Sequence, residues 1–110
     1  MTSVKFLADE NSIYGFEIGG HSSQNCDDEL GKIVCSAVSS AVYLVANTVT
    51  EIIGDSAKAE VRDGLMNFEV INPSSETYKI MDGLKLHLTE LSKEYSNNIK
   101  INGGAKYFKD

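Results

Sequence analysis

Residues 33–53 read IVCSAVSSAVYLVANTVTEII. Apolar residues recur in this stretch with the period of one face of an α-helix. The stripe comprises Val34, Val38, Ala41, Val45, Val49 and Ile52, with Ile33, Ala37 and Val42 at its margins. Gly54 follows, and glycine is a favoured helix stop because it adopts left-handed backbone readily. The pattern predicts a long, largely buried helix from about Ile33 to the residue before Gly54.

Two apolar alternations precede this helix, as expected for a pair of β-strands. The alternating residues are Val4, Phe6 and Ala8, then Tyr14, Phe16 and Ile18. Residues 9–11, Asp-Glu-Asn, separate the two runs and have the composition of a turn. We therefore predict a β-hairpin that runs into Gly19 and Gly20, where a missing β-carbon allows another backbone to approach closely.

A second hairpin and a second helix follow Gly54. Asp63-Gly64 is a strong two-residue turn signal, with Ala59 and Val61 before it and Met66, Phe68 and Val70 after it. Asn72-Pro73 then predicts a helix start, with the proline near the first helical position and Asn72 or Ser74 as the N-cap. The apolar stripe of this helix comprises Ile80, Leu84, Leu88, Leu91 and Tyr95, and Ile99 and Ile101 predict a last short strand.

The predicted element order is ββαββαβ. Hairpins separated by helices favour an α/β (α+β) two-layer sandwich, in which a mainly antiparallel sheet carries both helices on one face. The chain has 110 residues and a mass of 12.0 kDa, and no proline-rich or low-complexity linker divides it. We therefore expect a single domain over residues 1–110.

Composition and charge narrow the possible partners and the compartment. The formal net charge is −6 with a pI near 4.8, and scattered Lys and Arg do not favour direct nucleic-acid binding. A basic partner suits this charge better. The first residues lack the apolar core of a signal peptide, and we expect no membrane span. The expected location is the cytoplasm, where two cysteines are expected to be free thiols.

One polar loop separates a histidine from a cysteine. His21 follows the end of the first hairpin, and the helical pattern places Cys35 in the first turn of the helix. Unpaired N–H groups and the helix dipole at that place favour a thiolate, with His21 as its base and nearby backbone N–H groups as an oxyanion site. A small cysteine on the apolar side of a helix is also common packing, and the spacing alone does not decide between the two.

The surrounding residues resemble those of the Prp family, the ribosomal-processing cysteine proteases of bacteria. Gly20-His21, a polar loop, and then Ile33-Val34-Cys35 followed by Ala37-Val38-Ser39 carry the resemblance. It implies that His21 and Cys35 are catalytic, framed by residues of the loop and the helix start. The frame comprises Gly20, Gly31, Lys32, Ile33, Val34 and Ser36.

The resemblance also implies a substrate and an assembly. Family members remove a short, hydrophobic N-terminal extension from a large-subunit ribosomal protein of the L-twenty-seven family. They usually form homodimers, and we expect no cofactor for this chain. That substrate is basic, which agrees with the acidic charge of this chain.

Lys32 departs from the family pattern, because the family usually carries Asp directly before the isoleucine. The neighbouring glycine is also displaced, to Gly31. Asp27, Asp28 or Glu29 could supply the missing carboxylate, although a solvated loop or a helix N-cap is the simpler interpretation of these residues. The alternative to a protease is therefore a non-catalytic, ribosome-associated or assembly-binding module of the same fold.

A metal site is a weaker hypothesis for the same residues. His21, Cys26 and Cys35 with one Asp could form a four-ligand zinc site. Short ligand spacings such as Cys-x-x-Cys are missing from the sequence, so we expect no metal and interpret Cys26 as an exposed loop thiol. His87, beside the apolar stripe of the second helix, is interpreted as a boundary residue.

Overall fold

The structure is a computed structural model that describes residues 1–10, 12–20 and 29–102. Within these residues, five strands and two helices follow one another in the predicted order ββαββαβ. The elements are β1 (Thr2–Asp9), β2 (Ser12–Gly19), α1 (Glu29–Asn47), β3 (Ser56–Arg62), β4 (Leu65–Ile71), α2 (Ser75–Glu94) and β5 (Ile99–Asn102). The two-layer α+β architecture is confirmed.

The five strands form one mixed sheet in the order β3-β4-β2-β1-β5. The β1–β2, β2–β4 and β3–β4 pairs are antiparallel, and β5 lies parallel to β1 with Thr2 opposite Ile99. Strand β5 returns to the first strand because α2 carries the chain back across the sheet, as in other parallel connections. The starts of β1 and β5, the end of β2 and the β3–β4 turn therefore meet at the same end of the sheet.

Alternate residues of the strands form the core beneath the helices. Phe16 and Phe68 lie directly opposite each other, with ring centroids 5.2 Å apart and ring planes inclined by 22°. Both are fully buried, as are Val4 and Phe6 on β1. The first helical segment, Glu29–Ile53, contributes Val34, Val38, Val42, Val45 and Val49 to the core. Helix α2 contributes Met81, Leu84 and Leu88. The predicted alternation therefore identifies the buried face of β1 and β4 correctly.

A β-bulge changes the register of β2. The pairing shifts between Leu7, opposite Gly15, and Ala8, opposite Ile13. The extra residue in β2 is Tyr14, which is half-buried, while Ile13 is fully buried. The prediction that Tyr14 continues the core face of Phe16 is therefore wrong, since a bulge reverses the alternation on one side of it.

The long helix differs from the prediction at both ends. It begins at Glu29, four residues before Ile33, and after Asn47 it continues as a π-helical turn over Thr48–Ile53. The wider turn rotates the last residues, so Ile52 is 79% exposed while Val49 remains buried. Gly54 ends the segment with a φ of 90°, and its N–H donates to the Val49 carbonyl over 2.9 Å. The predicted glycine stop is confirmed.

The helical stretch Glu29–Ile53 is long and apolar enough, by composition alone, to cross a membrane. The sequence had predicted no such segment. In this structure the inner side of the stretch packs on the sheet, and core helices of globular proteins meet the same criterion.

A two-residue turn closes the β3–β4 hairpin, and a serine cap begins α2. Asp63 and Gly64 both have positive φ, 37° and 79°, as a two-residue hairpin turn with the twist of the strands requires. Ser74 is the N-cap of α2 and accepts from the Thr77 N–H over 3.4 Å. Ser74, one of the two predicted caps, is therefore confirmed, and Pro73 lies two residues before the first helical residue.

Asp55 connects the end of the first helical segment to the start of α2. One of its carboxylate oxygens accepts from the Ser74 N–H and hydroxyl, both at 2.9 Å, and from the Thr77 hydroxyl at 2.6 Å. These bonds, led by that from the Ser74 N–H, lower the pKa of Asp55 below its ordinary value. The ionised carboxylate therefore stabilises the junction between the first helical segment and α2.

We expect Asp55→Asn to lower the melting temperature at pH 7. A depressed pKa in the folded state means that the stabilisation is present above the unfolded pKa and is lost as the pH falls through the folded one. The difference between wild type and variant should therefore shrink below about pH 4. Circular-dichroism melts at intervals from pH 7 to pH 2.5 measure it. A constant difference over that range would contradict this role for the charge.

Candidate active site

Cys35 lies on the inner side of α1, with 8% of its surface exposed. It is the seventh residue of the helix, so it lies in the second turn and not in the predicted first turn. Backbone N–H groups from Ile33 onward bond within an α-helix that begins at Glu29. The predicted stabilisation of a Cys35 thiolate by a helix N-terminus is therefore wrong, and the oxyanion site stays a prediction.

The Cys35 sulfur is part of a disulfide bond. The expectation of free thiols is therefore wrong for Cys35 in this structure. The sequence contains one other cysteine, Cys26, which lies outside the described residues. A disulfide sulfur cannot act as a nucleophile toward a peptide bond, since the thiolate is the reactive form. Reduction must therefore precede any chemistry at Cys35.

Thr2 makes a polar contact with Cys35. Its Oγ1 lies 3.5 Å from the Cys35 Sγ, and the threonine is 2% exposed. The Thr2 N–H donates to the carbonyl of Asn98 over 2.8 Å, which fixes the start of β1 beside β5. This contact was not predicted from the sequence. The available signal was a threonine at the inward position of the alternation that continues through Val4 and Phe6.

Gly20, which directly follows β2, packs against Met1 and Thr2 at the start of β1. Its φ is 74°, and a β-carbon on it would collide with the Met1 carbonyl oxygen and lie 3.8 Å from the Thr2 Cα. Its N–H donates to the Gly64 carbonyl over 3.0 Å. The prediction that a missing β-carbon here permits close backbone approach is confirmed. The residue immediately before His21 therefore packs against the strand start that contacts Cys35.

His21 itself lies outside the described residues, together with Asp27 and Asp28. The pairing of His21 with Cys35 therefore stays a prediction, as does any carboxylate from this loop. The structure brings Cys35, Thr2 and Gly20 together at one end of the sheet.

The remaining frame residues lie on α1. Gly31 and Lys32 belong to its first turn and not to a loop, and Lys32 is exposed. Glu29 is the first helical residue and is also exposed. An acidic residue in the first turn and the spacing of Leu30 from Val34 were the sequence signals for this earlier start. Of the frame residues next to Cys35, Val34 is buried, whereas Ile33 is 57% exposed and Ser36 is exposed.

Among the described residues, no group of His, Cys, Asp and Glu side chains is arranged to hold a metal ion. The hypothetical zinc ligands His21 and Cys26 lie outside those residues, so that hypothesis is untested.

The two helices enclose an apolar groove on the side away from the sheet. It has a volume of about 460 Å³ and is lined by Ala37, Ser40, Ala41, Leu44 and Val45 of α1 and by Ile80, Gly83, Leu84 and His87 of α2. A β-carbon on Gly83 would meet nothing within 4 Å, so this glycine leaves the groove open at its α2 wall. His87 is exposed beside it, which agrees with its interpretation as a boundary residue.

The protein has a two-layer α+β fold with a buried cysteine on its first helix. Several solved structures share this fold. The essential ribosomal processing protease Prp from Staphylococcus aureus, in complex with a substrate peptide, matches with a TM-score of 0.84 and 19% identity over 94% of this chain and 99% of that one. A structure of the same protease with a covalently linked product peptide matches with a TM-score of 0.77 and 20% identity, over 94% and 99%.

A Streptococcus mutans protein matches with a TM-score of 0.82 and 20% identity, over 94% of this chain and 98% of that one. These likenesses show a shared fold. No curated protein sequence matches the chain significantly. The model of the family described as cysteine protease Prp matches residues 1–100. The chain therefore belongs to the Prp family of cysteine proteases, which confirms the resemblance seen in the sequence.

Proposed function

We propose that this protein is a cytoplasmic cysteine endopeptidase that removes a short, hydrophobic N-terminal extension from a ribosomal protein of the L-twenty-seven family. Cys35 is the nucleophile and His21 is its base. The observation that carries the proposal is the convergence at one end of the sheet, where Thr2 contacts Cys35 and Gly20, the neighbour of His21, packs against the same strand start.

The chemistry follows the usual course of covalent catalysis by cysteine. The imidazole accepts the thiol proton, the thiolate attacks the scissile carbonyl carbon, and the protonated imidazole donates a proton to the leaving amine. Water then hydrolyses the thioester and releases the free thiol. The covalently linked product peptide in the Staphylococcus aureus protease supports a mechanism of this type in the family.

The acidic charge supports a basic substrate. At a net charge of −6, the chain attracts a basic ribosomal protein at long range, which raises the rate of encounter without selecting the cleaved bond. Selection of a hydrophobic extension requires apolar contacts. Leu65, 39% exposed, lies opposite Gly19 at the same end of the sheet as Cys35 and offers one such contact.

The test is cleavage of the full-length precursor by the reduced, purified protein, followed by intact-mass analysis. Loss of a short N-terminal piece supports the proposal, and a precursor that begins at the mature residue serves as the matched control. A precursor that stays intact but still binds would support the non-catalytic, ribosome-associated module instead.

Lys32→Asp is expected to preserve or raise the cleavage rate. It introduces the carboxylate that the family usually carries there, and an acidic residue in the first turn of α1 stabilises a helix by roughly 0.3–1 kcal/mol. Lys32→Ala removes the positive charge without adding the acceptor and is the matched control. Steady-state kinetics on the precursor measure both. A severalfold loss of kcat/KM in Lys32→Asp alone would contradict the expectation.

The proposal includes assembly as a homodimer. Residues 33–50 contain no charged side chain, although Ile33 and Leu44 of α1 are 57% and 67% exposed. Uncharged, exposed apolar side chains on one helix are typical of interfaces between protein chains. Sedimentation velocity at several concentrations measures the assembly, and a monomer at every concentration would remove this part of the proposal.

A further inference from the structure

We propose that the Thr2 hydroxyl donates a hydrogen bond to the sulfur of Cys35 and thereby stabilises the thiolate that attacks the substrate. This inference deepens the proposed function and rests on Cys35 as its nucleophile. It assigns to the first strand a direct part in preparing the reactive group.

The direction of the hydrogen bond follows from the chemistry of the sulfur. Cys35 Sγ lies 3.5 Å from Thr2 Oγ1 and is half of a disulfide, so it carries no hydrogen and only the hydroxyl can donate. When the disulfide is reduced and the thiol ionised, the same hydroxyl faces a far stronger acceptor. Hydrogen bonds to charged groups are stronger than those between neutral groups.

The position of Thr2 indicates that the hydroxyl has a purpose beyond packing. The side chain points inward at the start of β1, where the alternating pattern places Val4 and Phe6 in the core. Thr2 is 2% exposed, so its hydroxyl has given up water, and a buried hydroxyl without a partner is unfavourable. A valine of the same shape would avoid that penalty, whereas threonine supplies a donor at the sulfur.

Two backbone contacts hold the start of β1, and with it the Cα of Thr2, in place. The Thr2 N–H bonds to the Asn98 carbonyl at 2.8 Å, and Met1 is packed against the backbone of Gly20. A donor fixed before reaction can stabilise developing charge without reorganisation. Because the first turn of α1 lies too far from Cys35 for its N–H groups to take this part, the hydroxyl replaces the helix N-terminus as the source of stabilisation.

The test compares Thr2→Val with Thr2→Ser in a Cys26→Ser background, where Cys35 is the only thiol. The far-ultraviolet absorbance of the thiolate is followed against pH, after subtraction of the matching Cys35→Ser protein. This readout needs neither substrate nor access of a reagent to the buried sulfur. Thr2→Val removes the donor and keeps the shape, while Thr2→Ser keeps the donor.

We expect Thr2→Val to raise the titration midpoint by about one pH unit, as the loss of a hydrogen bond to a charged group implies. Thr2→Ser should stay close to the parent, and both variants should melt within a few degrees of it. Equal midpoints for Thr2→Val and the parent would overturn the inference. A shifted midpoint in a protein that leaves the precursor intact would instead refute the proposed function and leave the thiolate contact standing.

Discussion

Cys35→Ala is expected to abolish cleavage of the ribosomal precursor, lowering kcat by a factor of at least about 10⁴. The variant retains binding surfaces but has no nucleophile to form the acyl intermediate. The substitution removes one sulfur atom from a buried position on the inner side of α1, so it leaves only a small gap. Under reducing conditions the fold should therefore persist. Intact-mass analysis of the precursor and circular dichroism of the variant measure the two effects.

The disulfide gives this prediction its control. Wild type should cleave only after reduction, because Cys35 is disulfide-bonded in the structure. Cys26 is the only other cysteine in the sequence, so Cys26→Ser leaves Cys35 with no cysteine in the same chain to form a disulfide with. That variant should cleave without any reductant. Turnover by Cys35→Ala, or a Cys26→Ser protein that still requires reductant, would contradict the assignment.

Phe16→Ala is expected to lower the free energy of unfolding by about 3–5 kcal/mol. Phe16 is fully buried at the centre of the sheet, and its ring packs against Phe68 at 5.2 Å between centroids. Since domains are stable by only about 5–15 kcal/mol in total, this single truncation removes a large share of the stability. Urea unfolding followed by circular dichroism measures it.

Tyr14→Ala is the matched control on the same strand. The bulge in β2 leaves Tyr14 half-buried, and the core position is taken by Ile13. We therefore expect less than half the loss measured for Phe16→Ala. Equal losses for the two variants would show that Tyr14 belongs to the core, as the simple alternation of the sequence predicted.

Turn chemistry and periodicity made most of the architecture predictable. Asp63-Gly64 requires positive φ at both residues, and Gly54 stops the helix for the same reason. These signals are local, so a single sequence displays them. The bulge at Tyr14 and the π-helical turn before Gly54 each insert one residue into a regular element. Their consequences depend on the packing of neighbouring strands and helices, which periodicity does not record.

The family was predictable from the residues around Cys35, but the surroundings of its sulfur atom were not. The resemblance to the Prp family selected Cys35, and the family match confirms that choice of family. The start of α1 at Glu29 moved Cys35 away from the helix N-terminus, so the predicted source of thiolate stabilisation was wrong. Thr2 lies 33 positions from Cys35 in the sequence, and the contact arises only because β1 and α1 are adjacent in the fold.

The order of the strands also bears on the solubility of the protein. Strand β3 lies at one edge of the sheet, where an unpaired strand can recruit another chain and start aggregation. Its exposed side chains Lys58, Glu60 and Arg62 place a charge at every second position. Within the described residues, the opposite edge, β5, spans four residues. Both edges are therefore poor templates for added strands, and the sheet is protected from fibril-like growth.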